Sequence, residues 1–259
     1  MLVDTHAHLD FNDFKSDRKI VIDRAREAGV SAIINPGCDL ESSKMAINLA
    51  QTYDCIYASG GIHPNSSFQS KPVDIERIKE LAKNPKVVAI GEIGLDFYRN
   101  RAPRELQIQT LKKQCAIAQQ VNLPVIIHFR QVEMDGIDAI GRENIKELRG
   151  VFHCFGGSVD FAMTLVSWGF YIGFDGPLTY EKSDRVEIAL KVPLENILLE
   201  TDSPFLPPQR YRGKRNEPAF IREIADTLAD IKQCSVSEVI SVTRENARTL
   251  FHFDNNHPA

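Results

Sequence analysis

Hydrophobic positions along this chain switch repeatedly between two periods. Short β-branched runs alternate with stretches whose apolar residues recur three and four positions apart. The runs predict strands over residues 2–5, 32–35, 56–60, 87–90, 125–128, 151–153, 170–174 and 197–200. Their ends recur at roughly 20–36 residues, the length of a strand plus a crossover helix. Val125-Ile126-Ile127 is apolar at consecutive positions, as suits a parallel strand covered on both faces. The segments between read as helices. Pro103 is expected at the first position of the fourth, with Ile108, Leu111, Cys115 and Ala118 on one face and Asn122 and Pro124 as its stop.

Beyond the eighth run, Pro218 precedes a helix carrying Ile221, Ile224, Ala225 and Leu228. A capping box, Ser235-Val236-Ser237-Glu238, then opens another. The pattern predicts a single α/β domain over 1–259, a (β/α)8 TIM barrel with extra C-terminal helices, and a frayed tail over 254–259.

Composition narrows the class. With 259 residues, 43% hydrophobic and 25% charged, the chain is an ordinary globular protein. A net charge of −4 advertises no overall basic surface. No apolar run reaches bilayer length, and Met1-Leu2-Val3-Asp4 starts a strand pattern rather than a signal peptide, so the expected location is the cytoplasm, with no membrane and no obligate protein partner. The five cysteines lack CxxC spacing and are expected to be reduced and mostly packed in apolar positions.

Seven histidines carry the chemical signal. His6 and His8 close the first strand, His63 follows the third, His128 ends the fifth and His153 the sixth. Glu92 stands at the end of the fourth strand and Asp202 at the end of the eighth. All are expected at the C-terminal mouth of the barrel, where such folds carry active sites. Residues two apart on a strand share a face, so His6 and His8 can reach one ion. A lone histidine is ordinarily a core or surface residue; ligand types at five strand ends on one side are a different matter. His6, His8, Glu92, His128, His153 and Asp202 exceed the needs of one tetrahedral ion, so two divalent ions sharing Glu92 are expected. Imidazole with carboxylate suits zinc, manganese, iron or cobalt, and magnesium stays on the list. His63 is read as holding a turn or touching substrate. Asp4 and Asp10 are left open between orienting the histidines and serving as turn or cap residues.

The motifs Val3-Asp4-Thr5-His6-Ala7-His8-Leu9-Asp10, Gly61-Ile62-His63-Pro64, Gly91-Glu92-Ile93-Gly94-Leu95-Asp96-Phe97, His153-Cys154-Phe155 and Glu200-Thr201-Asp202-Ser203-Pro204 occur in order. With Arg212-Gly213-Lys214-Arg215-Asn216-Glu217-Pro218, this chain resembles the TatD family of metal-dependent hydrolases and deoxyribonucleases over nearly its whole length. The resemblance implies an amidohydrolase-superfamily barrel with a divalent pair on the same six residues. Two positions depart from the family pattern. Gln131-Val132 follow Arg130 where an acidic residue is common, and Gly156 stands where serine is common.

A metal pair can acidify a water and clamp the attacking and leaving oxygens of an in-line displacement, with Asp202 as general base. Arginines and a lysine in the mouth loops point to an anionic substrate: Arg99, Arg101, Arg104 and Arg130, then Arg210, Arg212, Lys214 and Arg215. Among these, Arg130, Arg212 and Arg215, with His63, are the candidate substrate contacts. Phe97, Tyr98, Phe205 and Tyr211 lie between them and can stack on bases. The expected substrate is a phosphodiester, single-stranded DNA or nucleic-acid ends. One alternative is a small amide, ester or lactone hydrolase, against which the absence of a bridging lysine at the fourth strand counts. The other is a non-catalytic metal-binding protein, which has little use for a basic mouth.

Overall fold

All eight expected strands form in the computed structural model, which describes residues 1–253. They are β1 (Leu2–Asp4), β2 (Val30–Pro36), β3 (Ile56–Gly60), β4 (Val87–Asp96), β5 (Val125–Arg130), β6 (Gly150–His153), β7 (Tyr171–Phe174) and β8 (Ile197–Leu199). They lie in sequence order in one sheet, and each pairs in parallel with the next. Beyond β8 the chain returns to β1. Thr5 donates its N–H to Leu199 O at 3.1 Å, Asp202 to His6 O and His8 to Ser203 O at 2.8 Å each, and Ala7 bridges Ser203 in parallel. The result is a TIM barrel.

Side-chain alternation divides the apolar residues between two clusters. Leu2, Ile33, Ile127 and Phe152 belong to the large cluster shared with the surrounding helices. Val3, Ile34, Ile126, Val151 and Leu198 form the second. That second cluster is completed by Ala247, Leu250 and Phe251 of the last helix and by Phe253.

Ten α-helices surround the sheet among the described residues: α1 (Arg18–Glu27), α2 (Leu40–Thr52), α3 (Pro72–Leu81), α4 (Arg104–Val121), α5 (Met134–Ile140), α6 (Arg142–Lys146), α7 (Val159–Ser167), α8 (Arg185–Lys191), α9 (Ile221–Lys232) and α10 (Val236–Phe251). Leu111, Cys115 and Ala118 are buried on α4, and left-handed Asn122 ends it by donating to Ala118 O and Gln119 O. Pro103 sits one residue before the helix rather than inside it. Ser235 Oγ accepts the Glu238 N–H at 3.1 Å to start α10. The frayed tail expected over 254–259 lies outside the described residues. No described helix is long and apolar enough to cross a membrane.

β4 corrects one expectation. It runs through Glu92 to Asp96 instead of stopping at residue 90. Gly94 has φ +151° and faces β5 so closely that a Cβ there would lie 1.9 Å from His128 O. Glycine here permits a close backbone approach, and Glu92 is carried inside the strand rather than at its end.

Candidate metal centre

His6 and His8 flank Ala7, whose bridge to Ser203 keeps the backbone extended. Their Nε2 atoms therefore meet at 3.2 Å. Both also face Glu92 Oε2, at 3.5 and 3.6 Å, and Asp202 Oδ1, at 3.7 and 3.5 Å. A tetrahedral ion with nitrogen ligands at about 2.0–2.1 Å has ligand-to-ligand edges of roughly 3.3–3.4 Å. Five of the six edges among these four donors, at 3.2–3.7 Å, come close to that spacing.

The other oxygen of Glu92 looks elsewhere. Oε1 lies 2.9 Å from His153 Nε2, 3.0 Å from His128 Nδ1 and 3.3 Å from His63 Nε2. The register that sets His128 opposite His153 brings those two rings together, with 3.1 Å between Nδ1 and Nε2. His63 also holds a turn, as its Nδ1 accepts the Asn65 N–H at 3.0 Å. One buried carboxylate thus belongs to two candidate metal-binding clusters, His6–His8–Glu92 and His63–Glu92–His128, while His153 also stacks on His6 at 3.9 Å and forms a further cluster with His6 and Asp202.

Electrostatics prepare the donors. Burial and then neighbouring His153 hold the His6 imidazole neutral, down to about 4. Burial works to raise Glu92, but the imidazoles around it, His63 foremost, pull it well below the usual carboxylate range. Asp202 is likewise lowered by His8 and His6 against its burial. Ionised carboxylates beside the neutral His6 imidazole suit a cation. The buried Nδ1 atoms of His6 and His153 have no hydrogen-bond partner among the described residues.

Several supporting residues were not singled out in the sequence. Asp96 Oδ2 lies 3.5 Å from His128 Nε2 and accepts from Asn65 Nδ2 at 2.9 Å. Burial opposes charge on His128, yet Asp96 and Glu92 outweigh it and lift the imidazole to about 9. Fully buried Glu200 accepts the Cys154 N–H and lies 3.9 Å from His153 Nδ1. Period two was a usable signal here, because Asp96 is four residues from Glu92 on one strand and Glu200 two from Asp202. Asp4 ties the barrel closure, accepting Thr201 Oγ1 at 2.7 Å, Thr201 N at 3.0 Å and His6 N at 3.2 Å. Asp10 pairs with Asn35 Nδ2 at 2.8 Å.

The centre opens into a cavity of about 1050 Å³. Arg99, Arg101 and Arg130 line one part, and the Arg130 guanidinium lies 4.2 Å from the Tyr98 ring centroid. Phe11, Phe205 and Leu206 line another. Phe11 stacks on the His8 ring, with 4.5 Å between centroids, and Phe205 is 48% exposed. Cys38 and Cys154 also line the cavity, apart from the apolar packing expected of most of the cysteines; all five cysteines are free.

The last basic loop departs from expectation. Arg215 makes a two-pronged ion pair with Asp17, at 2.9 and 2.7 Å, and reaches Glu217 at 3.0 Å. Arg212 lies over the Tyr180 ring at 4.5 Å, Arg210 pairs with Glu223 at 2.9 Å, and Tyr211 stacks on Phe220 at 3.8 Å. None of these four lines the cavity. Arg212 and Arg215, expected to contact substrate, are instead engaged by Tyr180 and by Asp17 and Glu217, away from the cavity lining.

Comparison with known proteins agrees with this architecture. The profile of the family described as TatD related DNase matches residues 3–252. The metal-dependent hydrolase YabD of Bacillus subtilis is 38% identical over 98% of this chain and 100% of its own. A protein of Edwardsiella piscicida named 3'-5' ssDNA/RNA exonuclease TatD is 36% identical over 96% of this chain and 99% of its own. The crystal structure of YjjV, a TatD homologue from Escherichia coli, superposes with a TM-score of 0.92 at 31% identity, covering 98% of each chain. Whole-length matches in sequence and fold meet a barrel mouth lined with histidines and carboxylates: the chain belongs to the TatD family of metal-dependent hydrolases.

Proposed function

We propose that this protein is a two-metal phosphodiesterase that trims single-stranded nucleic acid from an end, with DNA as the first substrate to test. The observation that carries the reading is the division of Glu92, whose Oε2 faces His6 and His8 while its Oε1 faces His63, His128 and His153. A shared carboxylate with imidazoles facing each of its oxygens suits two adjacent divalent ions. His6, His8, Glu92 and Asp202 would hold one, and Glu92, His128 and His153, with His63 beside them, the other. Zinc, manganese and magnesium are the candidates. When bound, such a pair supplies the positive charge that acidifies a water and offsets charge on the attacking and leaving oxygens.

The chain's own residues do the rest. Asp202 stays ionised and buried beside His6 and His8, placed to orient the attacking water and take its proton. Asp96 fixes the His128 ring. Arg99, Arg101 and Arg130 give the cavity a cationic wall for phosphates, and exposed Phe205 gives an apolar shelf for a base. The whole-length relative named as a 3'-5' ssDNA/RNA exonuclease supports the same substrate class. Five free cysteines favour a reducing compartment, so we place the protein in the cytoplasm.

The test is a screen of metal-reconstituted protein against bis-p-nitrophenyl phosphate, p-nitrophenyl acetate and end-labelled single-stranded oligonucleotides. Hydrolysis of the phosphodiester, with stepwise shortening of the oligonucleotide, is expected. Preference for the acetate ester would overturn the assignment.

A further inference from the structure

Arg185 was no candidate in the sequence, yet its guanidinium lines the cavity. It comes from the first residue of α8 and is held from behind. Nε donates to Phe155 O at 2.8 Å, and Nη2 lies 3.4 Å from Cys154 O. Nη1 lies 3.3 Å from Oδ1 of Asp175, which is fully buried after β7. Asp175 is the one carboxylate within 4 Å of Arg185 among the described residues, and neither of its oxygens has a hydrogen bond there. The pair therefore anchors the side chain without using up its donors. Nε and Nη2 are engaged by Phe155 and Cys154, whereas Nη1 has only the Asp175 contact and keeps a hydrogen to give.

The front of the guanidinium is open because of Gly156. A Cβ at that position would sit 3.4 Å from Nη2 and 3.8 Å from Nε, with nothing else within 4 Å. The serine common in the family at this position would project its hydroxyl over this edge. Glycine leaves the edge bare, three residues beyond candidate ligand His153. The neighbouring cluster of Cys154, Asp175 and Asp202 has metal-like spacing, but Arg185 already brings a positive charge to two of its members, with Nη2 3.6 Å from Cys154 Sγ.

We infer that Arg185, bared by Gly156 and anchored on Asp175, Cys154 and Phe155, forms a second phosphate subsite that binds a phosphodiester flanking the one at the metal centre. Arg185 makes no ion pair with any of the six candidate metal ligands among the described residues, so its charge serves the cavity beside the centre rather than the centre itself. Arg99 and Arg101 come from the loop after β4 and Arg130 from the end of β5, whereas Gly156 follows β6 and Arg185 opens α8 beyond β7. A strand with two phosphates can engage both walls; a substrate with one cannot. This inference rests on the phosphodiesterase reading above.

The experiment compares a thymidine dinucleotide, with one phosphate, and a trinucleotide, with two. Arg185→Met alone would strand the buried Asp175 charge and endanger folding, so the variants are Gly156→Ser and the paired Arg185→Met/Asp175→Asn. In each, kcat/KM for the trinucleotide relative to the dinucleotide should fall by about tenfold, the scale of one charge-assisted hydrogen bond, mainly through KM. Fluorescence anisotropy of a labelled trinucleotide on chelator-treated protein should show the same loss of binding. Folded variants in which that ratio matches wild type overturn the Arg185 subsite and leave the phosphodiesterase reading standing. Wild-type protein that hydrolyses neither nucleotide overturns both.

Discussion

Glu92 Oε1 lies 2.9 Å from His153 Nε2, although the two residues are 61 positions apart. The other oxygen of the same carboxylate faces the first-strand pair, so this side chain joins both halves of the centre. Glu92→Gln keeps the shape but replaces one oxygen by a donor amide. Metal content measured by elemental analysis should fall below that of wild type. Turnover should drop at least about a hundredfold, since even outer contacts at metal sites cost up to that much. Undiminished metal content would remove Glu92 from the bridging role.

Asp202 is ionised, buried and within 3.7 Å of both first-strand imidazoles. Asp202→Asn should cut kcat by at least about a hundredfold. Some metal should remain, because the amide oxygen still coordinates weakly. A near-normal kcat would assign the proton transfer to another group.

Asp96 supports His128 from outside the cluster, at 3.5 Å. Its loss should act on metal affinity, weakening it by roughly 10–100-fold. Titration of Asp96→Asn with zinc or manganese checks this, and added metal should restore most of the activity. If saturating metal restores none, Asp96 has a role in the reaction itself.

Arg130 is exposed at the cavity and leans on Tyr98. Arg130→Ala should raise KM for a phosphodiester by about tenfold, worth about 1.4 kcal/mol, with metal content unchanged. It should also flatten the salt dependence of oligonucleotide binding by about one phosphate contact. An unaltered salt slope would remove Arg130 from the binding wall.

Asp17 and Arg215 provide a pH-dependent strap between the loop after β8 and the start of α1. Hydrogen bonding to Arg215 holds the Asp17 carboxyl below its ordinary value in the fold. The sign follows: the pair stabilises above the normal carboxylate range, and this gain disappears as pH falls through the depressed folded value. Asp17→Asn should lower thermal stability at neutral pH by about 1 kcal/mol or less, because both side chains are partly exposed. The gap between wild type and variant should close in strong acid. A gap independent of pH would place the effect in packing instead.

The barrel and most of the centre were legible in the chain because both depend on local period. Val125-Ile126-Ile127 marks a buried strand, and His6-x-His8 puts two imidazoles on one face wherever an extended segment lies. Strand ends in a parallel barrel share one side, so listing the polar residues there already names the candidate ligands. Distances between strands were not legible. Which Glu92 oxygen faces which histidine depends on register, and β4 runs on to Asp96, beyond the apolar run over 87–90 that marks it in the sequence. The fate of the arginines was hidden for the same reason. Arg215 is claimed by Asp17 from 198 residues away, while Arg185, unremarkable in its own segment, reaches the cavity past a missing side chain at Gly156. Composition shows that guanidinium groups are present. Only the closed barrel decides which ones find a carboxylate first and which are left facing the site, because the competing partners come from segments that no local pattern connects.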